Sequence, residues 1–303
     1  MYTSMTVKQF RRRFRSERDC VRYLLKRKWP DGFRCPRCGH DRAYIIETRK
    51  LYQCAGCQHQ TTVTANTIFH QTRKPLKDWF WAIFLVSTRT TGSSARQLRH
   101  DLGLSYQTAW TWCHKIRKAM VERETRCQLQ GVIELDDTYL GGKKKPGKRG
   151  RGAGGKVPVI LAVERRPKGC GHVALSKVPS LSSREAKRFA HEHIGAGARI
   201  RTDGLIIYRT LGESFSSEQT LVGSGTPRAV EVFPHVHRVI ARLKTWVRGT
   251  HSHVSQKHLD QYLAEFSYRF NRRFKERRAS IFDRLVTACC HTRAITYGQL
   301  VAE

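Results

Sequence analysis

Residues 131–140 read Gly-Val-Ile-Glu-Leu-Asp-Asp-Thr-Tyr-Leu. The apolar and β-branched side chains of Val132–Tyr139 mark a strand that ends on an acidic pair, Asp136-Asp137. Downstream, Val157–Glu164 and His172–Val178 read as two more strands, Ser182–Ile194 as a helix and Arg199–Thr202 as a fourth strand. Pro234–Val247 reads as a long basic helix, with Pro234 tolerated in its first turn. Ser255–Arg273 reads as a last helix, with Leu259, Tyr262, Leu263, Phe266 and Phe270 facing inward. Strand, strand, strand, helix, strand, helix describes an α/β domain with a mixed sheet.

Acids are scarce, 24 Asp and Glu against 57 Lys and Arg, so their placement carries information. Asp136 lies at the end of the first strand, and Asp203 at the end of a later one, in Arg201-Thr202-Asp203-Gly204. Strands of one sheet can bring their ends together, which would set Asp136 beside Asp203. Carboxylates that close repel unless a cation compensates them, and hard oxygen ligands with open positions suit Mg²⁺ or Mn²⁺. A pair of such ions activates an attacking oxygen and stabilises a leaving oxygen on a phosphodiester. Spacing alone leaves a strand-end turn and an Asp-Gly turn as the other reading.

Around that domain lies a strongly basic chain of 303 residues with a formal net charge of +33. The counterparty of such a charge is a polyanion, most often nucleic acid. A hydrophobic fraction of 39% is too rich for a disordered basic tail. No apolar run approaches the roughly 20 residues of a membrane helix, and the Arg-rich N-terminus lacks the pattern of a signal peptide. A folded, intracellular protein is expected.

Four of the ten cysteines fall as Cys35-x2-Cys38 and Cys54-x2-Cys57, separated by fifteen residues. Two such pairs on tight turns converge as four thiolates on one structural Zn²⁺, with His40 and His59 beside them but not needed as ligands. Before the ribbon, residues 7–28 read as one basic amphipathic helix. After it, Leu76–Ser87 carries a core stripe, and residues 93–120 have the shape of a helix-turn-helix. Ser93 or Ser94 caps its first helix. Ser105 caps its second, which carries Tyr106, Gln107, Thr108, Trp110, Lys115 and Arg117. The loop 141–156, with seven Lys/Arg including Lys143, Lys144, Lys145, Lys148 and Arg149, has no acid and reads as a basic arm for a phosphate backbone. No internal repeat stands out.

Longer motifs then join up. Arg27-Lys28-Trp29-Pro30-Asp31-Gly32 runs into Cys35-Pro36-Arg37-Cys38-Gly39, and Asp136-Asp137-Thr138-Tyr139-Leu140-Gly141-Gly142 is followed by Thr202-Asp203-Gly204. Leu243-Lys244-Thr245-Trp246, Gly249-Thr250-His251, Tyr262-Leu263-Ala264-Glu265-Phe266 and Arg269-Phe270-Asn271-Arg272-Arg273 complete the set. Through about residues 7 to 275 the chain resembles bacterial insertion-sequence transposases of the ISXO-like kind, which join a zinc ribbon to a DDE-type domain of ribonuclease-H-like fold.

The resemblance implies that Asp136 and Asp203 are the first two catalytic carboxylates, with Asp137 a supporting acid where the family often has Glu. It implies a third ligand, a Glu in the family's pattern with His as an accepted variant, about 35 residues past the second Asp and seven before a lysine. Lys244 fits the lysine, and the third position is then His237, with Glu231 ranked second. The expected function is a DNA transposase that binds terminal inverted repeats, cuts, and transfers strands. It would use two Mg²⁺ or Mn²⁺ ions and act as a homo-oligomer on double-stranded DNA in the cytoplasm, at the nucleoid. The rival from another class is a DNA-binding regulator or inactive remnant. The expected division is a basic helix (1–30), zinc ribbon (31–70), helical DNA-binding region (71–127), catalytic domain (128–280) and C-terminal tail (281–303).

Overall fold

The computed structural model describes residues 5–124, 128–141, 156–220, 231–251, 254–274 and 280–302. The chain forms two compact units, Met1–Met120 with Phe274–Glu303, and Val121–Arg273.

The first unit opens with two helices, α1 (Val7–Arg13) and α2 (Glu17–Lys28), where a single helix was expected. Ser16 breaks them apart. Its hydroxyl accepts the Asp19 amide while Asp19 accepts the Ser16 amide, a reciprocal cap that starts a new helix. A three-stranded antiparallel ribbon follows, β1 (Ala43–Ile46), β2 (Leu51–Cys54) and β3 (Gln60–Thr61). Three helices come next: α3 (Leu76–Thr88), α4 (Ala95–Leu102) and α5 (Tyr106–Glu124).

The second unit is a five-stranded sheet built from β4 (Val132–Leu140), β5 (Val157–Arg166) and β6 (Gly169–Lys177), then α6 (Ser183–His193), β7 (Arg199–Thr202) and β8 (Ser216–Gln219). Its order is β6-β5-β4-β7-β8, antiparallel among the first three strands and parallel from β4 through β8. That mixed topology is ribonuclease-H-like. The fifth strand escapes a reading by pattern because Ser-Ser-Glu-Gln is polar and mostly exposed at a sheet edge. Helices α7 (Pro234–Thr250) and α8 (Leu259–Asn271) complete the unit.

Strand alternation sorts the core into two layers. Leu140, Val159, Leu161 and Val163 pack with Val236, Val239 and Leu243 of α7 and Leu263 of α8. Ile133, Leu135, Ile160 and Ala162 pack on the other face with Phe189 of α6 and with Tyr208 and Leu211 of a 3₁₀ stretch, Ile206–Glu213. Burial of each such aliphatic side chain is worth about 1.5–3 kcal/mol, so the sheet is held firmly from both sides.

Residues 281–303 are not a tail. Ile281, Phe282, Leu285, Val286 and Cys289 are buried at helical spacing along α9 (Ile281–His291), and α10 (Tyr297–Ala302) follows. Both belong to the first unit, where Phe282 stands 5.8 Å from Phe10 and 5.5 Å from Phe14, ring to ring.

Candidate functional site

The parallel register of β4 and β7 aligns Glu134 with Arg201. The pairing ends there: Asp136 lies two residues on along β4, and Asp203 follows the last residue of the neighbouring β7. Asp203 leaves the strand in a turn: its Oδ1 accepts the amide of Leu205 at 3.1 Å, and Gly204 takes the left-handed φ of 80° that the turn requires.

Asp136 and Asp137 point to opposite faces, as consecutive strand residues must. Asp137 shares its face with Ile133 and Leu135, where the hydroxyl of Tyr208 donates to its Oδ1 at 3.3 Å. Burial, reinforced by the negative charge of Asp137, Asp136 and Asp203, pushes the Tyr208 phenol well above its ordinary pKa, so it remains a donor. Asp136 shares its face with Glu134 and Leu140, towards α7, and its Oδ1 accepts the amide of Asp137 at 2.7 Å.

On α7, Nδ1 of His237 lies 4.0 Å from Oδ2 of Asp136. That is too long for a hydrogen bond and within the span of two ligands on one ion with bonds of about 2.1 Å. Two turns on, burial pulls the Lys244 amine below its ordinary pKa, Arg248 and Lys156 pull it further, and Asp136 opposes them. Lys244 therefore stands within electrostatic reach of the same carboxylate. Glu231 is exposed and precedes the helix. Asp136 stands mid-strand in β4 rather than at the strand's end as expected, because the pairing with β5 continues to Leu140; Asp203 follows the end of β7, and α7 carries His237 and Lys244 over the Asp136 face. Carboxylate oxygens and an imidazole nitrogen are donors that a divalent cation takes, and His237 and Asp136 stand close enough to share one, but among the described residues only the four cysteines gather three or more ligand atoms within 4.8 Å of one another.

Sequence reasoning missed Tyr208 and Glu134. Nothing in the spacing marks Tyr208, whose hydroxyl reaches Asp137 only through the fold. Glu134 did carry a signal, an acid at the apolar centre of a strand, and it is fully buried. Its role emerges only with α7 in place.

In the ribbon, the Sγ atoms of Cys35, Cys38, Cys54 and Cys57 all lie within 4.8 Å of one another. Cys35 and Cys57 are 3.6 Å apart, and Cys38 and Cys54 3.5 Å. Tetrahedral Zn²⁺ with bonds of about 2.3 Å sets its sulfurs about 3.8 Å apart, so the four thiolates fit. A short repeat also surfaces here. In both Cys35-Pro36-Arg37-Cys38-Gly39-His40 and Cys54-Ala55-Gly56-Cys57-Gln58-His59, the first cysteine's amide donates to the histidine carbonyl at 2.9 Å. Gly39 (φ 76°) and Gln58 (φ 58°) take the same left-handed position. His40 and His59 close the two knuckles by backbone.

Helices α4 and α5 meet through Gly103-Leu104-Ser105, with Ser94 and Ser105 capping them. Tyr106 and Gln107 are exposed at the start of α5, whereas the Thr108 hydroxyl is engaged by Ser105 at 2.9 Å. Arg117 is buried, so it does not belong to an outward-facing set. Lys115 is half-buried, and burial lowers its amine pKa. Lys143, Lys144, Lys145, Lys148 and Arg149 lie outside the described residues. Among the described residues no helix is long and apolar enough to cross a membrane.

Comparison with known proteins bears on this geometry. Residues 128–271 match the ISXO2-like transposase domain, and residues 15–60 match the transposase zinc-ribbon domain. An uncharacterised protein in transposable element ISH50 of Halobacterium salinarum is 26% identical over 278 residues, covering 84% of this chain and 91% of that protein. Among solved structures, the pre-cleavage Mos1 transpososome aligns with 68% of this chain and 76% of its own at 11% identity and a TM-score of 0.27. The Mos1 strand transfer complex aligns with 77% and 80% at 12% identity and a TM-score of 0.29. At such scores neither carries weight. The chain therefore carries an ISXO2-like transposase domain at residues 128–271, preceded by a transposase zinc ribbon at residues 15–60, and is similar along most of its length to a protein of a transposable element.

Proposed function

We propose that this transposase binds the ends of its element and performs metal-dependent DNA strand cleavage and strand transfer, with Asp136, Asp203 and His237 as metal ligands. The observation that supports the reading is His237 4.0 Å from Asp136, on a strand whose parallel neighbour β7 leads directly into Asp203. Two Mg²⁺ or Mn²⁺ ions, when bound, supply Lewis-acid stabilisation to the attacking and leaving oxygens. The chain holds the rest in place. Lys244 offers its ammonium to a DNA phosphate, while Asp137, on the opposite face of β4 with Tyr208, stays outside the metal site rather than supporting it as expected. In cleavage a water oxygen bonds to phosphorus and the 3′-oxygen leaves as a hydroxyl. In transfer that hydroxyl bonds to a target phosphorus and displaces another 3′-oxygen, so the number of phosphodiesters is conserved without an energy source.

DNA binding follows from the +33 charge. Tyr106 and Gln107 take the place of base readers, and Lys143, Lys144, Lys145, Lys148 and Arg149 hold backbone. Zn²⁺ on the four cysteines keeps the ribbon folded. The protein acts as a homo-oligomer on double-stranded DNA, in the cytoplasm.

A labelled duplex carrying the element's terminal repeat, mixed with a supercoiled target, tests this. Joined product should form only with Mn²⁺ or Mg²⁺ and only with the repeat. His237, standing where a carboxylate is expected, favours one rival, a DNA-binding regulator without chemistry. Repeat-specific binding with no joining under either ion would establish that rival. Gln107→Ala should blunt preference for the repeat while Lys143→Ala weakens all sequences alike.

A further inference from the structure

Helix α7 starts without a cap of its own. Phe233 at the N-cap makes no side-chain hydrogen bond, and Pro234 fills the first helical position. The sheet supplies the acceptor instead. Oε2 of Glu134 accepts the amides of His235 at 2.9 Å and Val236 at 3.0 Å. Glu134 is fully buried, and its Oε1 has no hydrogen-bond partner among the described residues; it lies 4.0 Å from Nε2 of His235. A buried carboxylate is expensive unless its surroundings compensate it, and a helix N-terminus with two aimed amides does so.

The position of this bond matters more than its existence. Glu134 lies two residues before Asp136 on the same face of β4, and Val236 lies one residue before His237. One side chain therefore joins the two elements directly beside the pair whose atoms stand 4.0 Å apart. Helix rotation by one residue is about 100° and translation about 1.5 Å, either of which would carry the imidazole away from Asp136. We infer that Glu134 is a positioning residue, which fixes the register and rotation of α7 so that His237 faces Asp136 and Lys244 follows two turns on. The inference rests on the reading of Asp136 and His237 as one metal site.

The fold supplies its own control. Helix α3 also lacks a side-chain cap after a proline, Pro75, and Glu17 of α2 accepts the amides of Leu76 at 2.7 Å and Lys77 at 3.0 Å. The same device there serves no metal.

The test uses the full-length protein with Mn²⁺ as probe, bound ion being read by electron paramagnetic resonance and joining by product. Glu134→Gln should weaken Mn²⁺ binding several-fold and slow joining about ten-fold at limiting Mn²⁺, with partial recovery at high Mn²⁺. Glu17→Gln should lower the melting temperature and leave Mn²⁺ binding unchanged. In a His237→Ala background, Glu134→Gln should add nothing to the loss of Mn²⁺ binding. Glu134→Asp, which keeps the charge but withdraws it by one methylene, should show the same Mn²⁺ shift and serves if the glutamine variant does not fold. Wild-type Mn²⁺ binding in the Glu134 variants, or Mn²⁺-binding losses that multiply independently in the double variant, would overturn the inference while leaving the site reading intact. Wild-type behaviour of His237→Ala alone would instead overturn the site reading.

Discussion

Nδ1 of His237 faces Oδ2 of Asp136 across 4.0 Å, from the first turns of a helix to the middle of a strand separated from it by nearly a hundred residues of sequence. Imidazole is a neutral nitrogen ligand that suits Mn²⁺ better than Mg²⁺. Joining should therefore be faster in Mn²⁺ than in Mg²⁺ by more than ten-fold. His237→Glu should close that gap by restoring a hard oxygen, and His237→Ala should lose most activity in both ions. Equal rates for wild type and His237→Ala in Mg²⁺ would remove His237 from the site.

The ribbon should stand or fall with its metal. Purified protein should hold about one tightly bound Zn²⁺, and Cys35→Ser or Cys54→Ser should release it. A short ribbon of three strands has little core, so coordination supplies much of its folding free energy. Elemental analysis paired with circular dichroism measures both effects. Full retention of zinc in both variants would contradict the four-thiolate site.

Glu164 sets a pH dependence in the second unit. Burial alone would raise its pKa. The imidazole of His172 at 3.0 Å and the amides of His172 at 2.9 Å and Gln130 at 3.2 Å outweigh burial and hold the carboxyl at about 2, against an ordinary 4.5. Gly171 makes the approach possible, since a Cβ there would lie 2.6 Å from Oε2. A depressed carboxyl stabilises the fold above about pH 4.5 and loses that contribution as pH falls towards 2, an amount on the order of 3 kcal/mol. Urea melts of wild type and Glu164→Gln should differ by up to that much at pH 7 and converge towards pH 2. A gap independent of pH would contradict the assignment.

Much of this was legible because it is local. Runs of apolar and β-branched residues exposed β4, β5 and β6, cysteine spacing exposed the ribbon, and Ser94 and Ser105 announced two helix starts. The rest depends on partners far along the chain. Ser216–Gln219 becomes a strand only because β7 offers it an edge. The apolar stripe of Ile281–His291 is present in the sequence, but its place near the C-terminus gives no sign of the partner that buries it, and only the fold shows it packed into the first unit. Glu134 and Tyr208 look unremarkable until the register of α7 and the turn after Asp203 bring them to the acids.

The most direct measurement is joining of a pre-cut repeat end to target DNA by Asp203→Ala, alongside its binding to the same end. A metal ligand is needed for the reaction and not for docking, so joining should fall by at least a thousand-fold, or about 4 kcal/mol, with end affinity nearly unchanged. Asp136→Ala should behave the same way. An Asp203→Ala protein that still joins strands at a wild-type rate would contradict the account.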